Sequence, residues 1–399
     1  MSDKLAIDGG DKVASQGLSP RKLFGEDEKL AVMRLLDQAV EQGSGVLGYN
    51  GPQEEAYCQE FATMLGGGFA DAVNSGTSAV YVAVGATNPP RGCEIVVPPV
   101  SDPGGVMPVA MLNCIPVAAD VEEGSVYNTG PRAIEKVITE RTHAILVAHI
   151  AGTPVDMDGV IDVARKHNLK VIEDCAQSPL AKYKGRPVGT IGDVGAFSTM
   201  FGKHFATAGQ GGMVFTKDEQ TYWAARRYAD RGKRFGLEGP GSNVVCSLNL
   251  NMDELHAAIG RVSLPKLPEH IKRRRAIAAR IAEAINGKSK AMSLITDPAN
   301  TESVYWFLVI RLDTDAITVD HPRFVEAIAK EGIPASSGYP FYPMKMEWIK
   351  TCGLAPADLP NALACGSRHF RISIHEGLTD SDVDMIVKAL NKVERAYLK

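Results

Sequence analysis

The sequence predicts an α/β fold in which a large domain with a mostly parallel sheet precedes a smaller α+β domain. Short apolar runs rich in β-branched residues recur between about residues 70 and 220. Helix-like segments separate several of these runs, and isolated strands and helices follow towards the C-terminus. Strands that alternate with helices favour a parallel sheet that is covered on both faces.

Six apolar runs are predicted to be strands of the large domain. They are residues 95–97, 115–118, 145–149, 170–172, 195–198 and 212–215. The segment from Gly159 to His167 lies between two of them and places Val160, Val163 and Ala164 on one helical face. Ligands of such sheets bind beyond the carboxyl ends of the strands. The residues that follow each run are therefore the candidates for a functional site.

The small domain is predicted to begin near a long helical pattern. This pattern covers residues 252–286, and it is followed by a strand at 304–312, a helix at 322–330, a strand at 370–374 and a helix at 380–398. We assign residues 1–265, including an N-terminal arm, to the large domain and residues 266–399 to the small one. The basic run from Lys272 to Arg275 is expected to form a solvated helix face.

Composition excludes several classes of protein. The chain has 399 residues, of which 45% are hydrophobic and 23% charged, and its formal net charge is −4. Without a basic excess, we expect no nucleic-acid partner. The apolar stretches are too short to cross a membrane. Seven cysteines without a Cys-x-x-Cys pair predict reduced thiols in a cytoplasmic protein and no metal centre.

Three polar segments of the large domain together suggest a cofactor. The run Asn74-Ser-Gly-Thr-Ser precedes a helical segment, whose free N–H groups suit a phosphate. Glu173 and Asp174 end a strand and point to opposite faces, so one of them can hold a protonated ring nitrogen. Lys203 lies in a glycine-flanked loop, where burial would lower the pKa of its amine and make it a nucleophile towards carbonyls.

Each of these segments has an ordinary explanation when it is considered alone. The first is compatible with a helix N-cap, Asp174 with another N-cap, and Lys203 with a solvated surface lysine. In this order, however, the three segments supply a phosphate site, a carboxylate for a ring nitrogen and a reactive amine. Pyridoxal 5'-phosphate (PLP) requires these three groups.

The sequence resembles the DegT/DnrJ/EryC1/StrS family of sugar aminotransferases, over nearly the whole chain. The matching segments are residues 74–79, 154–158, 171–177, 192–198, 209–212 with Lys203, and 248–258. Several motifs in the same order make the resemblance specific. It implies the aspartate-aminotransferase fold (fold type I of PLP enzymes). It also implies transfer of an amino group from glutamate or glutamine to a keto-sugar or keto-cyclitol, by ping-pong kinetics through a pyridoxamine form.

The resemblance also implies roles for individual residues. Lys203 would hold PLP covalently and, with Asp174 on the ring nitrogen, would be catalytic, while Gln177 would hydrogen-bond the ring hydroxyl oxygen. The phosphate would be bound by three residues, Gly76, Thr77 and Ser198. Asn249 would reach the phosphate of the neighbouring subunit's cofactor, which implies a homodimer with shared active sites.

One departure from the family pattern and two alternative functions remain open. Asp102 stands near the position where the family usually has an aromatic residue that stacks on the cofactor. Either another side chain covers the ring or Asp102 contacts substrate. A PLP-dependent dehydratase or lyase and a non-catalytic regulatory homologue are the alternatives. Lys203, which dehydratases of this fold replace with histidine, and the retained cofactor residues favour an aminotransferase.

Overall fold

The computed structural model describes residues 4–122, 125, 127–339 and 342–399. The helices are α1 (Glu26–Gln42), α2 (Pro52–Met64), α3 (Gly76–Ala86), α4 (Met107–Met111), α5 (Pro131–Glu135), α6 (Met157–His167), α7 (Glu219–Ala229), α8 (Glu254–Ser263), α9 (Leu267–Ile285), α10 (His321–Lys330), α11 (Trp348–Thr351), α12 (Pro360–Arg368) and α13 (Asp380–Tyr397). The strands are β1 (Phe69–Val73), β2 (Glu94–Val97), β3 (Ile115–Ala118), β4 (Thr142–Ala148), β5 (Lys170–Asp174), β6 (Lys182–Tyr183), β7 (Arg186–Pro187), β8 (Val194–Ser198), β9 (Gly212–Thr216), β10 (Met292–Leu294), β11 (Thr301–Glu302), β12 (Phe307–Leu312), β13 (Ala335–Ser337) and β14 (His369–Ser373).

The large sheet has seven strands in the order β1-β9-β8-β5-β4-β2-β3. Strands β8, β5, β4, β2 and β3 run parallel to one another, whereas β9 runs antiparallel to both β8 and β1. The mostly parallel sheet is therefore confirmed. The sequence analysis missed β1, because Asp71 interrupts its apolar run. That carboxylate is buried and pairs with Arg226 at 3.1 Å.

A second sheet of four antiparallel strands, β10-β12-β14-β13, carries a separate hydrophobic core. That core is formed with α9, α10 and α13, and it includes Ile281, Leu308, Phe324 and Ile386. The predicted strand at 304–312 begins only at Phe307. Among the described residues, no helix combines the length and the apolar character needed to cross a membrane.

The predicted long helical pattern is divided into α8 and α9 by a 3-10 turn at Leu264–Lys266. Pro265 lacks the N–H group that a continuous helix would need there. The proposed domain boundary at 265/266 falls in this turn and stays a prediction. The solvated face predicted for Lys272 to Arg275 is wrong for Arg274, which is 1% exposed. Its guanidinium pairs with Glu376 at 3.0 Å and donates to backbone carbonyls of the small domain.

Candidate active site

The carboxyl ends of β5 and β8 lie side by side and form the centre of the site. Asp174 at the end of β5 pairs with Ala196 of β8, and Ser198 is the last residue of β8. Lys203 follows in the loop between β8 and β9. The parallel arrangement therefore brings together two segments that lie far apart in the sequence, as expected for this class of sheet.

Helix α3 begins directly against the end of β8. Ser75 caps the helix by accepting the N–H of Ser78 at 3.0 Å. As first residues of the helix, Gly76 and Thr77 have backbone N–H groups with no intrahelical acceptor. A Cβ on Gly76 would lie 2.6 Å from the Cβ of Ser198, so only glycine permits this close approach. The arrangement has the shape and the polarity that a phosphate needs.

The two carboxylates at the end of β5 point to opposite faces, as predicted. Asp174 is 7% exposed, and its Oδ1 accepts the N–H of Ala176 at 2.9 Å. Burial raises the pKa of Asp174, although this N–H and the charge of Lys203 oppose the rise. Glu173 instead accepts the N–H groups of a neighbouring loop, including that of Gly189 at 2.8 Å. Asp174 is thus the carboxylate that faces the site.

The Lys203 amine is buried beside an aromatic ring. Burial lowers its pKa to about 8, against the opposing charges of Asp174 and Asp102. Its Nζ lies 3.7 Å from the ring centre of Trp306. Because the chain contains only three tryptophans, this contact is a specific feature of the site. The sequence analysis missed Trp306, since no motif links it to the lysine loop.

Groups from distant parts of the chain anchor the backbone of the lysine loop. Arg21 of the N-terminal arm donates to the carbonyl of Lys203 at 2.6 Å. The indole N–H of Trp306 donates to the carbonyl of Gly202 at 3.3 Å. Arg21 also pairs with Glu376 of the small domain at 2.7 Å. The position of the amine therefore depends on contacts that sequence patterns do not reveal.

Gln177 lies in the turn after β5 and is buried. Its Oε1 accepts the N–H of Ala151 at 2.8 Å, and its Nε2 donates to the hydroxyl of Tyr339 at 3.2 Å. The amide nitrogen carries a second hydrogen for a further acceptor. Asn249 differs from the other predicted residues because it is exposed. Its segment runs beside the start of α3, where the carbonyl of Leu250 accepts the N–H of Asn74 at 2.8 Å.

The segment around Asp102 lies over the site. A Cβ on Gly104 would lie 2.2 Å from Oγ1 of Thr77, and one on Gly105 would lie 2.8 Å from Oδ2 of Asp174. Asp102 itself is exposed and accepts the N–H of Gly104 at 3.0 Å. The segment thus approaches both the helix start and the carboxylate with backbone and small residues rather than with an aromatic ring.

A nearby buried group contains three potential metal ligands, His149, Glu173 and Cys175. Nδ1 of His149 accepts the N–H of Val155 at 3.0 Å, so its Nε2 carries the hydrogen that is donated to Glu173 at 3.2 Å. Backbone N–H groups occupy the remaining lone pairs of Glu173. These hydrogen bonds use the ring nitrogens of His149 and the oxygens of Glu173 that a metal ion would need, so these two residues form a structural network.

Comparison with known proteins identifies the family. Residues 31–391 match the model of the DegT/DnrJ/EryC1/StrS aminotransferase family. GDP-perosamine synthase of Caulobacter vibrioides is 31% identical over 337 residues, which are 84% of this chain and 88% of that protein. L-glutamine:2-deoxy-scyllo-inosose aminotransferase of Micromonospora echinospora is 29% identical over 419 residues, covering 98% of this chain and 97% of that protein.

A solved structure gives the same result for the fold. The aminotransferase of Psychrobacter cryohalolentis superposes with a TM-score of 0.86 at 32% identity, and the match covers 95% of this chain and 99% of that one. Members of the family use PLP, which agrees with the glycine-lined helix start, the buried carboxylate and the buried amine found here. The chain therefore belongs to the DegT/DnrJ/EryC1/StrS family and is a PLP-dependent aminotransferase of fold type I.

Proposed function

We propose that Lys203 holds PLP covalently and that the enzyme transfers an amino group from glutamate or glutamine to a keto-sugar or keto-cyclitol. The observation that carries this proposal is the buried Lys203 amine, whose pKa is lowered to about 8, at the same sheet edge as Asp174 and the start of α3. An amine with a lowered pKa has more free base near neutral pH and attacks carbonyl carbon more readily.

Five further residues would orient the cofactor. The first N–H groups of α3, at Gly76 and Thr77, and the hydroxyl of Ser198 would bind its phosphate. Asp174 would accept the protonated ring nitrogen. A cationic partner suits this carboxylate, because burial raises its pKa and a positive charge favours the ionised form. Gln177 would donate its second amide hydrogen to the ring hydroxyl oxygen.

Each of these residues would have its own role in the reaction. Bound PLP supplies a ring that accepts the electrons of the carbanion next to the donor nitrogen. The amine of Lys203 would act as the base that moves the proton at the donor α-carbon. Asp174 keeps the ring nitrogen protonated, and the Trp306 ring excludes water from one side of the amine. Because both half-reactions use this one site, ping-pong kinetics are expected.

The acceptor class is supported by the two relatives. One is named for a nucleotide-linked sugar product, and the other for a cyclitol acceptor and a glutamine donor. We infer an acceptor with a keto group on a hydroxylated six-membered ring. Asp102 would accept hydrogen bonds from hydroxyl groups of this acceptor, since it is exposed and only its Oδ1 is used within the chain among the described residues.

A homodimer would complete the site. Helix α1 exposes Leu30, Met33, Leu36 and Val40 along one face, and Phe201 beside the lysine loop is 62% exposed. We propose that a second copy covers these side chains and that Asn249 of each copy reaches the cofactor phosphate of the other. Val40→Asp should shift the protein towards monomers in light scattering. An unchanged mass would contradict the assignment of α1 to the interface.

The central test uses Lys203→Ala, with Lys217→Ala at an exposed lysine as the matched control. The wild type and the control should be yellow with PLP, lose the absorbance of the bound cofactor when glutamate or glutamine is added, and recover it with a keto-sugar or keto-cyclitol. Lys203→Ala should lose this cycle. Turnover that survives in Lys203→Ala would overturn the assignment of the amine. Recovery with simple keto acids alone would overturn the acceptor class.

A further inference from the structure

Glu376 lies between two arginines that come from different parts of the chain. Its Oε1 accepts from Nε of Arg21 in the N-terminal arm at 2.7 Å, and its Oε2 accepts from Arg274 of α9 at 3.0 Å. Only 10% of the Glu376 side chain is exposed. Burial raises its pKa, but the charge of Arg274 and the hydrogen bond from Arg21 outweigh burial, so the pKa is lowered overall. The carboxylate is therefore ionised at neutral pH and binds both guanidinium groups.

The first arginine connects Glu376 to the backbone of the lysine loop. Nη2 of Arg21 donates to the carbonyl oxygen of Lys203 at 2.6 Å, while Nε of the same group donates to Glu376. Because a guanidinium group is planar and rigid, its bond to Glu376 also fixes the direction of its bond to Lys203. The carboxylate thus determines where this backbone carbonyl lies, and with it the start of the Lys203 side chain.

The second arginine connects Glu376 to the turn that carries Trp306. Nη1 of Arg274 donates to the backbone carbonyls of Tyr305 at 3.1 Å and Trp306 at 3.3 Å. Tyr305 has a φ angle of 49°, a left-handed conformation that is uncommon for a bulky residue and that the surrounding contacts must maintain. The ring of Trp306, which follows directly, has its centre 3.7 Å from Nζ of Lys203. The carboxylate thus also determines where this ring lies.

We propose that Glu376 is a positioning residue of the aminotransferase, because it holds both the backbone and the amine of Lys203 in place through its two arginines. The inference rests on the proposed role of Lys203 in binding PLP. One path fixes the Lys203 carbonyl through Arg21, and the other fixes the ring beside the amine through Arg274 and Trp306. A displacement of about 1 Å can lower a rate by about 10²-fold, so such an anchor affects catalysis without contacting the reacting atoms.

The test measures the Lys203 amine in Glu376→Gln. This substitution keeps the size of the side chain but replaces one acceptor oxygen with an amide group whose hydrogens face a guanidinium. The control is Glu394→Gln, at another buried glutamate of the small domain, which accepts the N–H groups of Lys290 and Ala291. Two rates are followed across pH for each full-length apoenzyme: capture of PLP by absorbance, and reductive methylation of Lys203 by formaldehyde with peptide mass spectrometry.

At pH 8, Glu376→Gln should capture PLP about tenfold more slowly than the wild type. The midpoints of both pH profiles should also move above about pH 8, because an amine that is held less firmly gains water and its pKa returns towards the ordinary value. Glu394→Gln should lower the stability of the protein but leave both profiles unchanged. Unchanged profiles in Glu376→Gln, or the same change in Glu394→Gln, would overturn the proposal.

Arg21 provides a second and milder test, because its substitution leaves the pair of Glu376 and Arg274 intact. Arg21→Gln should also slow the capture of PLP, and Arg21→Lys, which keeps the charge, should recover part of the lost rate. Capture at the wild-type rate in Arg21→Gln would overturn the proposal. Failure of the proposed function is a different result, since Lys203→Ala would then capture PLP as fast as the wild type.

Discussion

Glu173 and Asp174 are consecutive buried carboxylates on β5, yet their surroundings are opposite. Burial raises the pKa of Glu173, but hydrogen bonds from His149 and from the N–H groups of Gly192 and Gly189 outweigh it, so the pKa is lowered overall. For Asp174, burial dominates and the pKa is raised. Within the described structure, the carboxylate of Asp174 accepts one backbone hydrogen bond, from the N–H group of Ala176.

The difference separates a structural carboxylate from one that is available to a ligand. The acceptor positions of Glu173 are filled by the protein, so its charge stabilises the loop that it binds. Asp174 has lost its water without receiving an equivalent set of donors, and a cationic ligand would supply the missing interaction. Because side chains alternate between the two faces of a strand, adjacent residues of β5 have these two roles: Glu173 stabilises a loop, and Asp174 is available to a ligand.

The largest expected effect tests the catalytic side of this comparison. Asp174→Asn keeps the shape and the hydrogen bond to Ala176 but removes the charge. We expect kcat for the donor half-reaction to fall by about 10²–10³-fold, because the ring nitrogen loses its ionised partner. Stopped-flow absorbance of the bound cofactor measures this rate. A rate within a few-fold of the wild type would show that Asp174 does not hold the ring nitrogen.

The next effect tests the structural side. Glu173→Gln is nearly isosteric, but its amide N–H group would face the N–H donors that now surround the carboxylate. We expect the free energy of unfolding to fall by about 3 kcal/mol, the lower end for removing one partner of a buried pair. Urea denaturation of the apoenzyme measures this loss. A stable variant with a large loss of kcat would reverse the assignment of the two carboxylates.

The sequence predicts the elements that carry the local motifs of the candidate site. The strand that ends at Asp174, the helix start at Gly76 and the loop of Lys203 each have a recognisable local pattern, and the six strands predicted for the large domain are present in the structure. Opposite orientations of Glu173 and Asp174 also follow from strand geometry alone. What the sequence could not provide is the identity of the donors that fill one carboxylate and leave the other available.

The missed features all depend on contacts between distant segments. Trp306 reaches the Lys203 amine from the small domain, and Arg21 reaches the same loop from the N-terminal arm. Arg274 looked like a member of a solvated basic run, but it is buried because Glu376 and three backbone carbonyls accept its hydrogen bonds. No spacing rule predicts such pairs, since they arise only when the chain has folded.

The pH dependence of PLP capture also distinguishes the two carboxylates. Covalent capture of PLP by the apoenzyme needs the free base of Lys203, so its rate should rise through about pH 8, the lowered pKa of this amine. The negative charge of Asp174 raises the pKa of Lys203. Asp174→Asn should therefore move the midpoint to lower pH, whereas Glu173→Gln should leave it in place. Equal shifts in both variants would show a general disturbance of the loop.

The smallest effect concerns the stability of the apoenzyme. Because the folded pKa of Asp174 is raised above 3.8, its ionised form opposes folding at neutral pH, and this penalty disappears as the pH falls below the unfolded value. Asp174→Asn should therefore raise the free energy of unfolding of the apoenzyme at pH 7, and the gain should vanish in acid.

The contribution of Glu173 to the free energy of unfolding depends on pH with the opposite sign. The stability that Glu173 contributes is present above about pH 4.5 and is lost as the pH falls through its lowered pKa. Urea titrations across this pH range compare the two variants. A loss of stability in Asp174→Asn at neutral pH would mean that the protein itself satisfies this carboxylate, and the distinction between the two residues would fail.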